Sequence, residues 1–313
     1  MGTPPLLVAV TGATGFIGTI LCTELRKSGN RVRALVRNPD RARVLQGSGV
    51  ELLTGELADR SSLEQLLSEA DAVIHCAGAV RGSSQQQFDQ TNVAGTEGLL
   101  QAMLAQGSPP RLIMLSSLAA REPELSWYAN SKYRSEVLLR EQGKGLNWIT
   151  LRPPPVYGPG DKEILPLFRA MSRGLAPVPG AISARISVIH VQDLVAAILA
   201  CLDTADMPAT EYCLGDGHDG GYDWKELAEI AESVWQRQVR LLSIPGWLLD
   251  VVASANLGLA RVLGYAPMLT PAKLRELRHP DWVVDNDKLQ AVIDWQPRIG
   301  LQQGLIELKE TEL

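Results

Sequence analysis

The sequence has few cysteines, few histidines and no excess of positive charge. Its four cysteines lie far apart and form no CxxC pair, which excludes a disulfide framework and indicates a reducing compartment, the cytoplasm. Its four histidines stand at no metal-ligand spacing with one another or with cysteine, so we expect no metal site. A formal net charge of −5 over 313 residues argues against a nucleic-acid partner, which normally requires a basic surface.

Long uninterrupted hydrophobic runs are also missing. The N-terminus lacks a basic region followed by an apolar stretch, so we expect no signal peptide. The most apolar segment, 241–263, contains Pro245, Asp250 and Arg261, and we expect no transmembrane span there. Apolar residues recur at helical spacing within 247–263 and predict a helix. Three interpretations of that helix stay open: burial against the rest of the protein, a wall of the substrate pocket, and contact with a membrane surface.

Strand-like and helical segments alternate along the first half of the chain. This alternation predicts an α/β fold of Rossmann type, a doubly wound parallel sheet with a smaller, mostly helical C-terminal substrate domain. We expect the dinucleotide-binding domain at 1–155 plus about 186–216, and the substrate-binding part at about 156–185 and 217–313. The predicted strands of the main sheet are 6–10, 31–36, 50–53, 71–76, 111–115, 148–151, 186–191 and 211–214.

A glycine-rich turn follows the first predicted strand directly. Residues 11–18 read TGATGFIG and lead into a predicted helix at 19–27. Gly12 permits the sharp turn, Gly15 lets the backbone approach a pyrophosphate, and Gly18 allows the helix to pack closely on the strand. The N-terminus of the helix offers N–H groups and a positive dipole end to an anion. The segment therefore predicts a dinucleotide site.

A serine pair, a tyrosine and a lysine form the second candidate site. Tyr128 and Lys132 are four residues apart, which places them on one face of a helix. Ser116 and Ser117 end the apolar strand 112–115, at the sheet edge where ligands bind. A serine, a tyrosine and a lysine that converge on a nicotinamide give a complete site for proton and hydride transfer.

These motifs resemble those of the extended short-chain dehydrogenases/reductases, the group of epimerase/dehydratases and 3β-hydroxysteroid dehydrogenases. The matching segments cover most of the chain and are 11–18, 75–78, 91–96, 115–117, 128–132, 152–160 and 189–193. The resemblance implies that Tyr128 exchanges a proton with the reacting oxygen and that Ser117 holds that oxygen. Lys132 would bind the nicotinamide ribose and lower the pKa of Tyr128. It also implies a possible homodimer through segment 92–106 and the helix that contains Tyr128.

The resemblance also implies a set of cofactor-binding residues. They are Gly12, Thr14, Gly15, Phe16, Ile17, Arg37, Glu56, Leu57, Ala77, Gly78, Tyr128, Lys132, Pro154 and Val156. NAD-specific sheets carry an acidic residue after the second strand, whereas here Arg37 follows that strand. An arginine there can bind a 2′-phosphate in a bidentate way, although it can also be a solvated surface residue. The sequence therefore favours NADP, with NAD as the alternative.

Two departures from the family pattern bear on the reaction. Nucleotide-sugar enzymes of the group usually carry an asparagine where this chain has Pro155, and Arg185 lies one residue farther from the Ile-His-Val segment than expected. Proline offers no donor to a diphosphate. The apolar region 244–263 instead favours an apolar small-molecule substrate. We therefore predict an NADP-dependent oxidoreductase acting on an apolar carbonyl or secondary alcohol. A nucleotide-sugar epimerase/dehydratase is the first alternative, and a non-catalytic dinucleotide-binding structural or regulatory protein is the second.

Overall fold

A seven-stranded parallel sheet forms the centre of the fold. The computed structural model describes residues 5–204 and 206–312. The strands, in chain order, are β1 (Leu7–Thr11), β2 (Arg31–Val36), β3 (Glu51–Thr54), β4 (Ala72–His75), β5 (Arg111–Leu115), β6 (Trp148–Arg152), β7 (Val156–Tyr157), β8 (Leu175–Val178), β9 (Arg185–Ile186), β10 (Ile189–His190), β11 (Glu211–Cys213), β12 (Arg240–Ser243) and β13 (Asp281–Trp282). The main sheet has the order β11-β6-β5-β4-β1-β2-β3, which confirms the predicted Rossmann-type architecture.

Helices cover both faces of the sheet and build the rest of the molecule. They are α1 (Phe16–Lys27), α2 (Arg60–Leu67), α3 (Gln85–Leu104), α4 (Trp127–Gln142), α5 (Leu165–Ser172), α6 (Val191–Asp203), α7 (Trp224–Trp235), α8 (Gly246–Leu263), α9 (Pro271–Leu277), α10 (Asp287–Gln290) and α11 (Leu301–Thr311). Two 3₁₀ turns occupy Pro39–Leu45 and Leu118–Arg121. Strands β1 and β4 are buried along their whole length, as is typical of a parallel sheet covered on both faces.

The core has three parts that follow this layering. On one face of the sheet, Leu21 of α1 and Ile198 of α6 pack against the strands. On the other face, Leu66 of α2 and Leu99 of α3 do the same. A third cluster surrounds Tyr157 and is formed by apolar residues from α5, α7 and α11. Residues far apart in sequence thus contribute to the C-terminal cluster.

The strand predicted at 186–191 does not join the main sheet. Its two ends form separate short strands, because β9 pairs with β13 and β10 pairs with β7. Helix α6 already begins at Val191, so the end of the apolar run is the first turn of a helix. The predicted strand at 211–214 is confirmed as β11, which pairs with β6 at the edge of the sheet.

The helix predicted within 247–263 forms as α8 but is not buried. Of its 18 residues, Ala253 and Ala260 are the buried ones. Among the residues that the structure describes, α8 is the one helix that is long and apolar enough to cross a membrane, judged by length and composition alone. The interpretation of α8 as a helix buried against the rest of the protein is therefore wrong. Seven of its large apolar side chains are exposed.

Candidate active site

The glycine-rich turn has the geometry that a pyrophosphate requires. Gly12 has a φ of +72°, and a Cβ at this position would lie 2.6 Å from the backbone nitrogen of Ala77. A Cβ on Gly18 would lie 2.2 Å from the carbonyl oxygen of Gly12. Side chains are therefore sterically excluded from both positions, and the turn packs directly against the loop that follows β4. This arrangement lies between β1 and β4, where the direction of the strand order reverses and ligands of such sheets bind.

Helix α1 presents its N-terminus at this turn. It begins at Phe16, earlier than the predicted Thr19, and its N-cap residue Gly15 makes no side-chain capping bond. Its first turn contains no acidic residue. The first amides of α1 are thus available to an anion, and the helix dipole favours negative charge there. The turn and the helix together fit the pyrophosphate of a nicotinamide dinucleotide.

The three predicted catalytic residues lie close together beside this turn. Tyr128 and Lys132 occupy adjacent turns of α4. Ser126 caps the N-terminus of this helix, because its hydroxyl accepts a hydrogen bond from the Ala129 amide at 3.0 Å. The Ser117 hydroxyl lies close enough to the Tyr128 phenol to favour its ionised form. Lys132 Nζ donates to the carbonyl oxygen of Leu115 at 2.9 Å. The structure thus brings together the ends of β5 and α4 as the sequence predicted, while the roles of the three residues stay predictions.

Burial controls the ionisation of the tyrosine and the lysine. It raises the pKa of Tyr128 to about 12, outweighing the lowering effect of the Ser117 hydroxyl, and the carboxylates of Glu276 and Glu163 raise it further. Burial also lowers the pKa of Lys132 to about 8. The resemblance implies a lowered tyrosine pKa, whereas desolvation favours the neutral phenol here. Near neutral pH, Tyr128 therefore carries its proton and can donate it.

A buried carboxylate that the sequence analysis missed holds α4 in place. Glu136 accepts a hydrogen bond from the Ser116 hydroxyl at 2.6 Å and one from Arg152 Nε at 2.8 Å. It stands four residues after Lys132, so one face of α4 carries the phenol, the ammonium and the carboxylate in successive turns. That spacing was the available signal. Glu136 ties α4 to the ends of β5 and β6.

Two further polar residues near the site serve the fold. Asn92 accepts a bond from the Ala79 amide at 2.7 Å and donates to Ser131 Oγ at 2.8 Å, which ties α3 to α4 and to the loop after β4. His75 Nδ1 lies 2.7 Å from Thr11 Oγ1, and burial lowers the histidine pKa to about 3. Both side chains have their hydrogen bonds within the protein.

The remaining predicted cofactor residues are distributed around the same edge of the sheet. Arg37 is exposed directly after β2 and makes no side-chain hydrogen bond or ion pair with any residue that the structure describes. Leu57 packs against Gly95 of α3, whose Cβ would lie 2.8 Å from Leu57 Cδ1. Gly78 lies so close to Lys132 that a Cβ would meet Nζ at 3.0 Å. Thr14 and Glu56 are exposed, Phe16, Ile17, Ala77 and Val156 are half-buried, and Pro154 is buried.

The C-terminal part contributes charged groups to the site. Lys273 of α9 places its ammonium 5.5 Å from the centroid of the Tyr128 ring. The same ammonium pairs with Glu276, which accepts a hydrogen bond from Ser126 at 2.7 Å. No spacing in the sequence relates α9 to α4, so sequence reasoning could not find this contact. It places α9 against the predicted proton donor.

Arg185 forms hydrogen bonds and ion pairs with residues of the C-terminal half of the chain. Its guanidinium donates to the carbonyl oxygen of Gly221 at 2.6 Å and to Glu226 at 3.0 Å. Pro155 lacks a donor, and its carbonyl oxygen accepts the Ile189 amide at 3.1 Å within the protein. Arg185 is thus held within the protein by Nε and Nη2, and Pro155 has no N–H to offer.

The comparison with known proteins identifies the family. The model of the NAD-dependent epimerase/dehydratase family matches residues 8–215, which is more than half of the chain. The chain belongs to this family. Its members are of the extended short-chain dehydrogenase/reductase type. This epimerase/dehydratase-family chain is thus an NAD(P)-dependent enzyme with a nicotinamide dinucleotide as its cofactor.

Relatives of this family member act on different substrates. The chain is 36% identical to a ceramide reductase from Caulobacter vibrioides over 285 residues, 88% of this chain and 85% of that protein. It is 28% identical over 174 residues to the 4-hydroxy-2-methyl-3-oxo-4-farnesyl-3,4-dihydroquinoline-1-oxide ketoreductase of Stigmatella aurantiaca, 50% of this chain and 52% of that one. A solved structure of MoeE5 with UDP-glucose and NAD superposes with a TM-score of 0.75 at 25% identity, covering 97% of each chain.

Proposed function

We propose that this enzyme is an NADP-dependent reductase that converts a ketone on a long-chain lipid into a secondary alcohol. The observation that carries the proposal is the 36% identity to a ceramide reductase over 88% of the chain. A second relative is named as a ketoreductase of a farnesylated molecule, which also carries a long apolar group. Both names point to an apolar carbonyl substrate.

The proposed reaction assigns one task to each residue of the site. The neutral Tyr128 phenol gives its proton to the carbonyl oxygen as the carbon–oxygen double bond becomes single. Ser117 donates a hydrogen bond that positions the oxygen and stabilises its developing charge. The reduced nicotinamide, when bound, supplies the hydride that the carbonyl carbon accepts. Lys132 holds the nicotinamide ribose and offers positive charge beside the phenolate that is left behind.

The structure also supports the reductase over the nucleotide-sugar alternative. A sugar nucleotide needs donors for its diphosphate, and an arginine is the side chain best suited to bind one in a bidentate way. Arg185 uses its guanidinium on Gly221 and Glu226 instead. Pro155 has no donor to offer. The non-catalytic alternative is disfavoured because Ser117, Tyr128 and Lys132 are all present and adjacent.

The environment of Arg37 supports NADP as the cofactor. Its guanidinium is exposed at the carboxyl end of β2 and is not engaged by any described side chain. No carboxylate stands at this strand end, where an NAD-binding sheet would use one to bind the ribose 2′-hydroxyl. A 2′-phosphate placed there would receive a charge-assisted contact from Arg37.

The proposed function is tested by NADPH consumption on a divided substrate panel. One half contains long-chain lipid ketones in detergent micelles, including the keto form of a ceramide, and the other half contains UDP-linked keto-sugars. We expect turnover on the lipid half alone, and Tyr128→Phe should lose at least about 100-fold in kcat while it still binds NADPH. Tyr133→Phe, at an exposed tyrosine of the same helix, is the matched control.

Each other outcome of this panel contradicts the proposal. Turnover on keto-sugars alone would establish the epimerase/dehydratase alternative. Tight NADPH binding with no turnover on either half would favour the non-catalytic alternative. Full lipid turnover by Tyr128→Phe would remove the proposed mechanism.

A further inference from the structure

Helix α8 exposes a broad face of large apolar side chains. Trp247 at its start is 69% exposed and Val262 near its end is 82% exposed. Apolar residues of this size are normally buried, and a contiguous exposed group of them marks an interaction surface. The residues of this apolar face are Trp247, Leu248, Val251, Val252, Leu259, Val262 and Leu263.

The apolar face is continuous and carries no charge. With about 100° of rotation per residue, these side chains span about 160° of the helix circumference, and Ala255 and Gly258 fill the positions between them. The opposite side of α8, with Ala253 and Ala260, packs on the protein. The two charged residues of the helix, Asp250 and Arg261, lie together on one edge outside the apolar face.

The charges at that edge leave one cation of α8, Arg261, without an ion-pair partner among the described residues. Asp250 is neutralised by an ion pair with Arg278 Nη1 at 2.8 Å. Arg261 is exposed and makes no ion pair with any residue in the described ranges 5–204 and 206–312. An apolar face with a cation on its polar edge and a tryptophan at one end is the pattern of helices that lie in a membrane interface. An anionic lipid headgroup can pair with Arg261.

Two side-chain contacts along α8 hold the helix against the surface of the protein. Near its start, Asp250 is bound to Arg278, which directly follows α9. In its middle, Asn256 Nδ2 donates to the carbonyl oxygen of Leu269 at 2.8 Å. A helix held at both places presents one side to its surroundings and cannot leave the protein to span a bilayer.

Helix α9 connects this surface to the candidate active site. It packs beside α8, and its Lys273 lies 5.5 Å from the centre of the Tyr128 ring. Helix α9 therefore lies between the buried side of α8 and the predicted proton donor.

We propose that α8 docks this protein on the surface of a phospholipid bilayer, with the apolar face inserted among the outer parts of the acyl chains. A protein groove or a second copy would also bury apolar surface. Three features favour a bilayer that contains anionic lipid: the apolar face is broad and carries no charge, a tryptophan lies at its end, and Arg261 is unpaired within the described part of the chain. The docking goes beyond the proposed reaction, since it needs neither substrate nor cofactor.

The test measures co-sedimentation of the full chain with vesicles of phosphatidylethanolamine and phosphatidylglycerol. We expect the wild-type protein to bind, and the double variant Val251→Asp/Val262→Asp to lose at least about tenfold in vesicle partitioning, because each aspartate places a charge in the apolar face. Val44→Asp is the matched control, because Val44 is 65% exposed on the 3₁₀ turn Pro39–Leu45, outside α8. The control should bind vesicles like the wild type, and all variants should still bind NADPH.

A second measurement reads the position of the helix directly. Vesicles that contain brominated acyl chains should quench the tryptophan fluorescence of the wild type, and Trp247→Phe should remove most of that quenching. Wild-type protein that stays in the supernatant, or that is not quenched, overturns the proposal. A dimer that Val251→Asp/Val262→Asp converts to monomer, without vesicle binding by the wild type, shows that a second copy covers α8 instead. Vesicle binding by a protein that reduces no lipid ketone leaves this inference intact and removes the proposed function alone.

Discussion

Lys132 illustrates how burial sets the pH range over which a single side chain stays charged. An unperturbed lysine keeps its charge to about pH 10.4. The desolvated Lys132 has a pKa of about 8, and the carboxylate of Glu136 raises it against the larger effect of burial. The ammonium that would hold the nicotinamide ribose therefore loses its proton within the range in which the protein can be studied.

The pH dependence of cofactor binding follows from this pKa. We expect NADPH affinity to fall as the pH rises through about 8, because the neutral amine is a weaker partner for the ribose. Lys132→Arg should bind NADPH more weakly but without this pH dependence, since a guanidinium stays charged. Fluorescence titration between about pH 6.5 and 9.5 measures both effects, and the exposed Lys144→Arg should behave as the wild type. A flat wild-type profile would show that Lys132 does not hold the cofactor.

Arg37 is the residue on which the proposed preference for NADPH over NADH rests. We expect Arg37→Asp to weaken NADPH binding by about 10- to 100-fold, because it replaces the phosphate partner by a repelling charge. NADH binding should stay the same or improve, since an acidic residue can accept a bond from the 2′-hydroxyl.

Dissociation constants for both cofactors check the effect of Arg37. The control Arg31→Asp makes the same change of charge at the opposite end of β2, also at an exposed arginine. A wild-type protein that prefers NADH would contradict the assignment, and so would an equal loss of NADPH binding in the control.

Among the helices, α1 and α8 each contain a glycine, but the space around the two glycines differs. Gly18 of α1 has no room for a side chain, because a Cβ would lie 2.2 Å from the Gly12 carbonyl oxygen. A Cβ added to Gly258 of α8 would have no atom within 4 Å. The first glycine lets α1 approach the phosphate-binding turn closely, whereas the second only lowers the helix propensity of α8.

The matched pair Gly18→Ala and Gly258→Ala separates these two roles. We expect Gly18→Ala to lower the free energy of unfolding by about 1–3 kcal/mol through overpacking, and to weaken NADPH binding. Gly258→Ala should raise the free energy of unfolding by about 0.5–1 kcal/mol and leave NADPH binding unchanged. Denaturant unfolding and NADPH titration of both variants measure the changes. A stable Gly18→Ala with unchanged NADPH affinity would show that close packing at this turn is dispensable.

Across the whole molecule, the spacing of apolar residues and glycines predicted the elements that depend on short segments of the sequence. The glycine turn, the parallel strands of the first half and the helix that carries Tyr128 all formed where the spacing placed them. Two outcomes depended on contacts between distant segments. The run 186–191 divides between two partner strands, and the burial of α8 depends on which neighbours reach it.

The candidate site shows the same division. Ser117, Tyr128 and Lys132 were predictable because they belong to one strand end and one helix face. Lys273 and Glu276 reach Tyr128 from α9 only through the tertiary fold, and no periodicity connects them to it. The sequence therefore predicted the positions of Ser117, Tyr128 and Lys132 better than their contacts with α9.

Deuteride transfer from NADPH labelled at nicotinamide C4 tests the central claim most directly. The protein is incubated with the labelled cofactor and a long-chain lipid ketone, and the product is analysed by mass spectrometry. The account predicts one deuterium on the carbinol carbon of the lipid alcohol, and a transfer rate at least about 100-fold lower for Tyr128→Phe. An unlabelled lipid would contradict it, and epimerisation of a UDP-sugar by the same protein in a parallel incubation would identify an epimerase.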